Sequence, residues 1–267
     1  MLKYIVIYTN TDKDVGFVCT NKLKGLLEKS FCKVDVVTDP ERFADNGIPE
    51  LLIVLGGDGT IMHAARFCSV KGVPILGINF GRVGFMAELE PDEIELVDEY
   101  INGNYSIEER MMLCVKTESD EAYCVLNDAV ISNGTVSKIT TLDLYCNESF
   151  VSRYNADGLI VATPTGSTAY SMSAGGPLID PSLACLLSTP ICPHSLTSRP
   201  MVFSADSVIK VVNKSPDPVS VYLTLDGREN VKIPFNGSII LKRAQLTTKL
   251  IRIKNDGFYN LLGKKVN

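Results

Sequence analysis

The chain has 267 residues, 45% of them hydrophobic and 21% charged, with a formal net charge of −5. That is ample apolar material for one or two packed cores, and it excludes disorder as the main theme. The acidic balance argues against a nucleic-acid or anionic-membrane partner, which would want a basic face, although backbone N–H groups can still hold a small anion.

In chain order, Lys3 to Tyr8 is a strand-like run. Val15, Val18, Cys19, Leu23, Leu26 and Leu27 recur at helical spacing and predict one apolar stripe. Val34 to Val37 reads as a strand and Leu51 to Leu55 as a fully buried one. Ile61 to Ser69 reads as a helix, Pro74 to Ile78 as a strand, and Glu90-Pro91-Asp92-Glu93 as a helix start with acids in its first turn. This alternation predicts a parallel sheet covered on both faces. After about Gly103 the texture becomes β-rich: Met111 to Thr117, Ala122 to Ser132, Thr141 to Cys146, Leu159 to Ala162, Val208 to Val212, Val219 to Leu225 and Ile239 to Leu241. Asn133-Gly134, Asp226-Gly227 and Asn236-Gly237 supply turns, and the whole predicts a second, all-β domain.

The sharpest local feature is Gly56-Gly57-Asp58-Gly59-Thr60, between the buried run and the helix. Its glycines permit positive φ and let a ligand approach main-chain amides, and the helix start adds partial positive charge. Thr60 is placed as the N-cap. A carboxylate in a phosphate-accepting turn is repulsive unless it takes a proton or faces a metal; the same turn also reads as a strand-to-helix junction capped by Asp58. The dinucleotide fingerprint fails, because its sixth position is Met62, and no P-loop motif occurs. Gly77 to Phe85 forms a second glycine-rich turn with Asn79 and Arg82 as polar candidates, and both turns are expected on one sheet edge. Arg82 also reads as a plain surface arginine.

Tyr154 to Pro177 places Asp157 before a buried strand, then a Pro/Gly turn, then a short helix from Ser167 or Thr168 to about Ala174. Together with the glycine loop this segment resembles the NAD kinase family, and the resemblance runs over nearly the whole chain. It includes Gly77-Ile78-Asn79, Gly84-Phe85, Leu126-Asn127-Asp128, Pro190 to Leu196, Arg199-Pro200 and Asp226-Gly227. The glycine loop is shared with lipid kinases, and a similar one occurs in phosphofructokinases. The segment from Asp157 to Pro177 is similar to NAD kinases alone.

The resemblance implies an α/β N-terminal domain with a Rossmann-like, phosphofructokinase-type parallel sheet over residues 1–100, to which 249–267 return. It implies an all-β, sandwich-like NAD-binding domain over residues 101–248, with a nucleotide crevice between the two. The implied activity moves the γ-phosphoryl of ATP, or of polyphosphate, onto the adenosine 2′-hydroxyl of NAD, with Mg²⁺. Asp58 is the implied general base. Gly57, Gly59, Asn127, Asp128, Asp157, Thr168, Ala169 and Tyr170 are implied NAD contacts, and Gly56, Gly57, Gly59 and Thr60 the phosphate loop. Asp128 departs from the glutamate usual after the asparagine and is one methylene shorter. A homodimer or homotetramer is also implied, with no nucleic-acid or membrane partner. A lipid or other small-molecule kinase sharing the loop, and a non-catalytic NAD(P) sensor, stay open as other readings.

His63 and His194 are too separated to suggest a metal cluster and read as a helix-flank and a loop residue. The start is too short for a signal peptide, and no stretch reaches the roughly 18 apolar residues that span a bilayer. The eight cysteines lack Cys-x-x-Cys or zinc spacing. Most read as small buried residues of a reducing compartment, which predicts a cytoplasmic protein.

Overall fold

The computed structural model describes residues 3–81, 84–118, 121–134, 138–216, 219–254 and 257–266. It has two compact units, Met1–Arg110 with Thr247–Asn267, and Met111–Leu246.

In the first unit, β1 (Tyr4–Thr9), β2 (Lys33–Val37), β3 (Leu51–Gly56) and β4 (Ile75–Asn79) pair in parallel in the order β2-β1-β3-β4. Alternate side chains serve opposite faces. Ile5, Ile7, Leu51, Ile53, Leu55, Leu76 and Ile78 pack with Cys19, Leu23 and Leu27 of α1 (Val18–Lys29), and with Val97 and Tyr100 of α3 (Val97–Asn102). The other long helix, α2 (Asp58–Lys71), follows β3 directly, and its Ile61 lies where a side chain on Gly77 would sit. The predicted α1 stripe is shorter than expected. Val15 and Val18 are 75% and 72% exposed, because positive φ at Gly16 and Phe17 breaks the chain before the helix. Glu90 and Glu93 form a capping box, but the first turn, Pro91–Leu96, is 3₁₀ before it becomes α3.

The second unit is a sandwich. Its strands are β5 (Ser106–Lys116), β6 (Ala122–Val125), β7 (Asp128–Asn133), β8 (Thr140–Cys146), β9 (Ser149–Ala156), β10 (Gly158–Ala162), β11 (Cys185–Ile191), β12 (Met201–Ser204), β13 (Ile209–Asn213), β14 (Val221–Leu225), β15 (Glu229–Ile233) and β16 (Ser238–Arg252). One antiparallel sheet runs β12-β11-β10-β7-β14-β15. Antiparallel pairs β16-β13-β8-β9 form the other, and the β5–β6 hairpin pairs with β16 through β5. Ala129, Ile131, Leu159, Val161, Leu186 and Leu223 of the first sheet meet Leu142, Leu144, Tyr154, Val211 and Leu241 of the second in one core.

The run expected from Ala122 to Ser132 is two strands, broken at Leu126-Asn127. The helix expected from Ser167 to Ala174 is a 3₁₀ turn, Thr165–Thr168, and a single helical turn, α4 (Tyr170–Ser173). The far end of β16 returns to the first unit, where Leu250 pairs in parallel with Ile75, and α5 (Phe258–Val266) follows. Among the described residues no helix is long and apolar enough to cross a membrane.

Candidate active site

Strand order places β1 beside β3, so their C-terminal ends meet where an open α/β sheet leaves a crevice. There the Asn10 N–H donates to Leu55 O at 3.1 Å, and its Nδ2 donates to Thr60 Oγ1 at 3.2 Å. Gly57, not Thr60, is the N-cap of α2, and Asp58 is the first helical residue. Thr60 lies within the helix, its N–H bonded to Gly57 O and its hydroxyl taken by Asn10. None of Gly56, Gly57 and Gly59 has positive φ. What Gly56 supplies is closeness, since a Cβ there would collide with the Thr60 side chain.

Asp58 is half-buried, and two consecutive amides fix its carboxylate: Phe85 N donates to Oδ2 at 2.8 Å and Met86 N to Oδ1 at 3.2 Å. A Cβ on Gly84 would overlap that carboxylate. Behind the same peptides stands Arg252 from β16. Its Nη1 donates to Met86 O and to Glu88 Oε2, both at 3.1 Å, its Nη2 to Phe85 O at 3.4 Å, and its Nε to Glu108 Oε2 at 2.6 Å. The other Glu108 oxygen accepts from Arg110 Nε at 2.7 Å. Glu88 and Arg110 are buried. Burial disfavours charge on Glu108, but Arg110 and Arg252 outweigh it and hold the carboxyl below its ordinary range. The network is a rigid back wall for the Asp58 carboxylate.

The second unit carries its own cluster. Asp226 accepts from the amides of Leu126 at 2.9 Å, Asn127 at 2.9 Å and Asp128 at 3.1 Å, which is what interrupts the strand there. From the other side, Thr163 Oγ1 donates to Leu126 O at 2.6 Å and Thr163 N to Asn127 O at 2.9 Å. Gly166 admits the close approach, because a Cβ would strike the Asn127 backbone. Asn127 and Asp128 are each 5% exposed. Burial first, and then the charge of Asp226, push the Asp128 carboxyl up to about 7; burial also raises Asp226, against its three amide donors.

Pairing of Ala162 with Asp128 puts Asn127 and Asp128 at the same end of β10 as the turn leading to Thr168, Ala169 and Tyr170. Tyr170 is exposed there. Asp157 is not with them: it is exposed at the opposite end of the five-residue strand, about 16 Å away by strand rise.

Models for the ATP-NAD kinase N-terminal domain match residues 3–105, and models for the ATP-NAD kinase C-terminal domain match residues 126–253. The NAD kinase of Acetivibrio thermocellus is 40% identical over 99% of this chain and 92% of that protein. The NAD kinase of Trichlorobacter lovleyi is 44% identical over 81% and 78%. The chain belongs to the NAD kinase family.

Solved structures of NAD kinases agree. The yeast NADH kinase complexed with NADH superposes with a TM-score of 0.86 at 26% identity, over 100% of this chain and 89% of that one. An NAD kinase from Archaeoglobus fulgidus in complex with ATP gives 0.82 at 27%, over 98% of each.

Among the described residues no group of three or more His, Cys, Asp or Glu side chains could hold a metal ion. Mg²⁺ characteristically binds through substrate phosphates and waters with only one or two carboxylates, which requires no such group. Asn79, buried at the end of β4, donates from Nδ2 to Gly81 O at 3.3 Å, and Arg82 lies outside the described residues. His63 stacks edge-on with Tyr8 and Phe67, and His194 is exposed in a loop. Of the cysteines, Cys19, Cys32, Cys68 and Cys185 are buried, three are half-buried and Cys192 is exposed. The expectation that most are buried fails because strand positions alternate between faces. Sequence reasoning gave no role to Asn10, Thr163, Glu108, Arg110 or Arg252. Glu108 and Arg252 are 144 residues apart, so no local pattern joins them.

Proposed function

We propose that this chain transfers the γ-phosphoryl group of ATP to the 2′-hydroxyl of the adenosine ribose of NAD, giving NADP and ADP. The observation that carries the reading is the Asp58 carboxylate, fixed by two amides at the start of α2 in a chain of this family. Asp58 takes the hydroxyl proton as the oxygen attacks the γ-phosphorus, and the bond to the ADP oxygen breaks in line. Phosphoryl transfer depends mainly on positioning and charge neutralisation. The Gly56, Gly57, Gly59 and Thr60 turn approaches the phosphates, with Gly57 and Gly59 also close to NAD. Asn127, Asp128, Thr168, Ala169 and Tyr170 hold NAD, and Asp157 meets a different part of it. Mg²⁺ supplies charge neutralisation on the triphosphate. The scattered cysteine spacing, with no disulfide framework or zinc pattern, supports a reducing cytoplasm, and the family resemblance supports a homodimer or homotetramer. No finding favours the lipid-kinase or sensor reading.

The test is an end-point assay with NAD, ATP and Mg²⁺, NADP being read by an NADP-specific dehydrogenase. Asp58→Asn should lower kcat by about 10²- to 10⁴-fold, the usual worth of a positioned base, with an unchanged circular dichroism spectrum. An unchanged kcat removes the base role. Absence of NADP from the wild type, with ATP and with polyphosphate, removes the reaction.

A further inference from the structure

Cys114 and Cys124 stand directly opposite each other in the antiparallel β5–β6 hairpin, in the register Leu113↔Val125, Cys114↔Cys124, Val115↔Tyr123. The hydrogen bond from Thr117 N to Glu121 O sets the phase of the ladder. Thr117 and Glu121 are a hydrogen-bonded pair, so Val115 with Tyr123 and Leu113 with Val125 are the next such pairs, and Cys114 with Cys124 falls between those two as a non-hydrogen-bonded pair. Non-hydrogen-bonded pairs bring the two backbones closest, with Cα atoms about 4.5 Å apart, inside the roughly 4.4 to 6.8 Å that a disulfide spans. The neighbours Leu113, Val115 and Val125 face the sandwich core, which leaves both thiols on the other face, half-buried and free.

We propose that Cys114 and Cys124 are a reversible redox pair that hydrogen peroxide closes to a cross-strand disulfide. Two observations carry the proposal: the register, and the half-buried placement of both thiols on the face away from the core. The Cys114 thiolate attacks one peroxide oxygen, the O–O bond breaks, and one water leaves after protonation, giving a sulfenic acid. The Cys124 thiolate then attacks that sulfur, the S–S bond forms, the S–O bond breaks and the second water leaves. The pair loses two electrons and the peroxide gains them. Burial and the neighbouring Cys114 raise the Cys124 thiol above its ordinary value. A disulfide in a reducing compartment is a transient one, and a dithiol closes it reversibly by exchange.

The test treats the full-length reduced enzyme with hydrogen peroxide, in a Cys192→Ser background that removes the exposed thiol. Peptide mass mapping without reductant should find Cys114 linked to Cys124, and dithiothreitol should reverse the link. Because the native register already fits the bond, the oxidised protein should melt at a higher temperature than the reduced one. Cys124→Ser should instead trap Cys114 as a sulfenic acid, detected with dimedone, while folding as the parent does. Two free thiols after peroxide, links only between molecules, or a link formed with a fall in melting temperature would each overturn the proposal.

Discussion

The two units solve the same problem, a carboxylate cluster out of water, in opposite ways. In the first, Glu108 lies between Arg110 and Arg252, Glu88 receives Arg252 as well, and the acid is held below its ordinary range. In the second, Asp128 faces Asp226, whose carboxylate is occupied by three backbone amides, and is pushed up to about 7. Fixed backbone dipoles orient a chain segment without neutralising a neighbouring acid as a guanidinium does. The ion-paired cluster therefore stiffens a wall behind Asp58, while the acid pair leaves a carboxyl that is partly protonated near neutral pH and can donate a hydrogen bond.

Removing the cation from the first cluster is the harshest way to break this contrast. Arg252→Ala leaves Glu108 with Arg110 alone and Glu88 with only the Ile253 and Lys254 amides, and removing one partner of a buried ion pair costs up to about 3 to 5 kcal/mol. Chemical denaturation should show that loss. In the surviving folded fraction kcat should fall more than the KM for NAD changes, because Phe85 and Met86 no longer hold Asp58 in place. Arg252→Lys should restore charge but not the fork of donors, and recover only part of the loss.

The pH dependence of stability sharpens the contrast. With a folded value near 7 against an ordinary 3.8, Asp128 keeps its proton longer when folded than when unfolded. Its contribution is fully present below about pH 4 and is lost as pH rises through 7, by up to about 4 kcal/mol. Asp128→Asn removes that titration, so melting curves should favour the variant increasingly from pH 5 to pH 8. A constant difference across that range would show that Asp128 is ionised throughout. The first cluster has the opposite sign: what Glu108 contributes is present above its ordinary value near 4.5 and is lost as pH falls through its lowered folded value.

The mildest change is Thr163→Val, which keeps the shape and deletes the hydroxyl bonded to Leu126 O and Gly166 N. Leaving those groups buried and unbonded costs about 1 to 3 kcal/mol. The KM for NAD should rise with it, since the segment loses its side-chain anchor at Leu126 and keeps only the backbone bond to Asn127 O on that side. An unchanged KM would mean that Asp226 and this backbone bond suffice to set the segment.

Much of the α/β architecture was legible because its signals are local. Short uninterrupted apolar runs such as Leu51 to Leu55, bounded by Pro49 and Gly56, read as strands buried on both faces, and they alternate with helical spacing. The sandwich was read less completely. Ser149–Ala156 went unread as a strand because exposed polar residues interrupt it, and its turn relies on positive φ at Asn147 and Glu148, with no glycine to mark it. Cys185–Ile191 is buried along its whole length but contains Pro190, which reads as a breaker.

The sequence by itself determined the family, the glycine turn with Asp58 at its centre, and the alternation that builds a parallel sheet, because each depends on residues adjacent in the chain. Only the tertiary structure decided what holds those residues. Arg252 reaches the Phe85 and Met86 carbonyls from the far end of the chain, Asp226 collects amides about a hundred positions earlier, and Cys114 meets Cys124 through strand phase. The physical reason is that hydrogen bonds and ion pairs act over a few ångströms in space, whatever the separation along the chain.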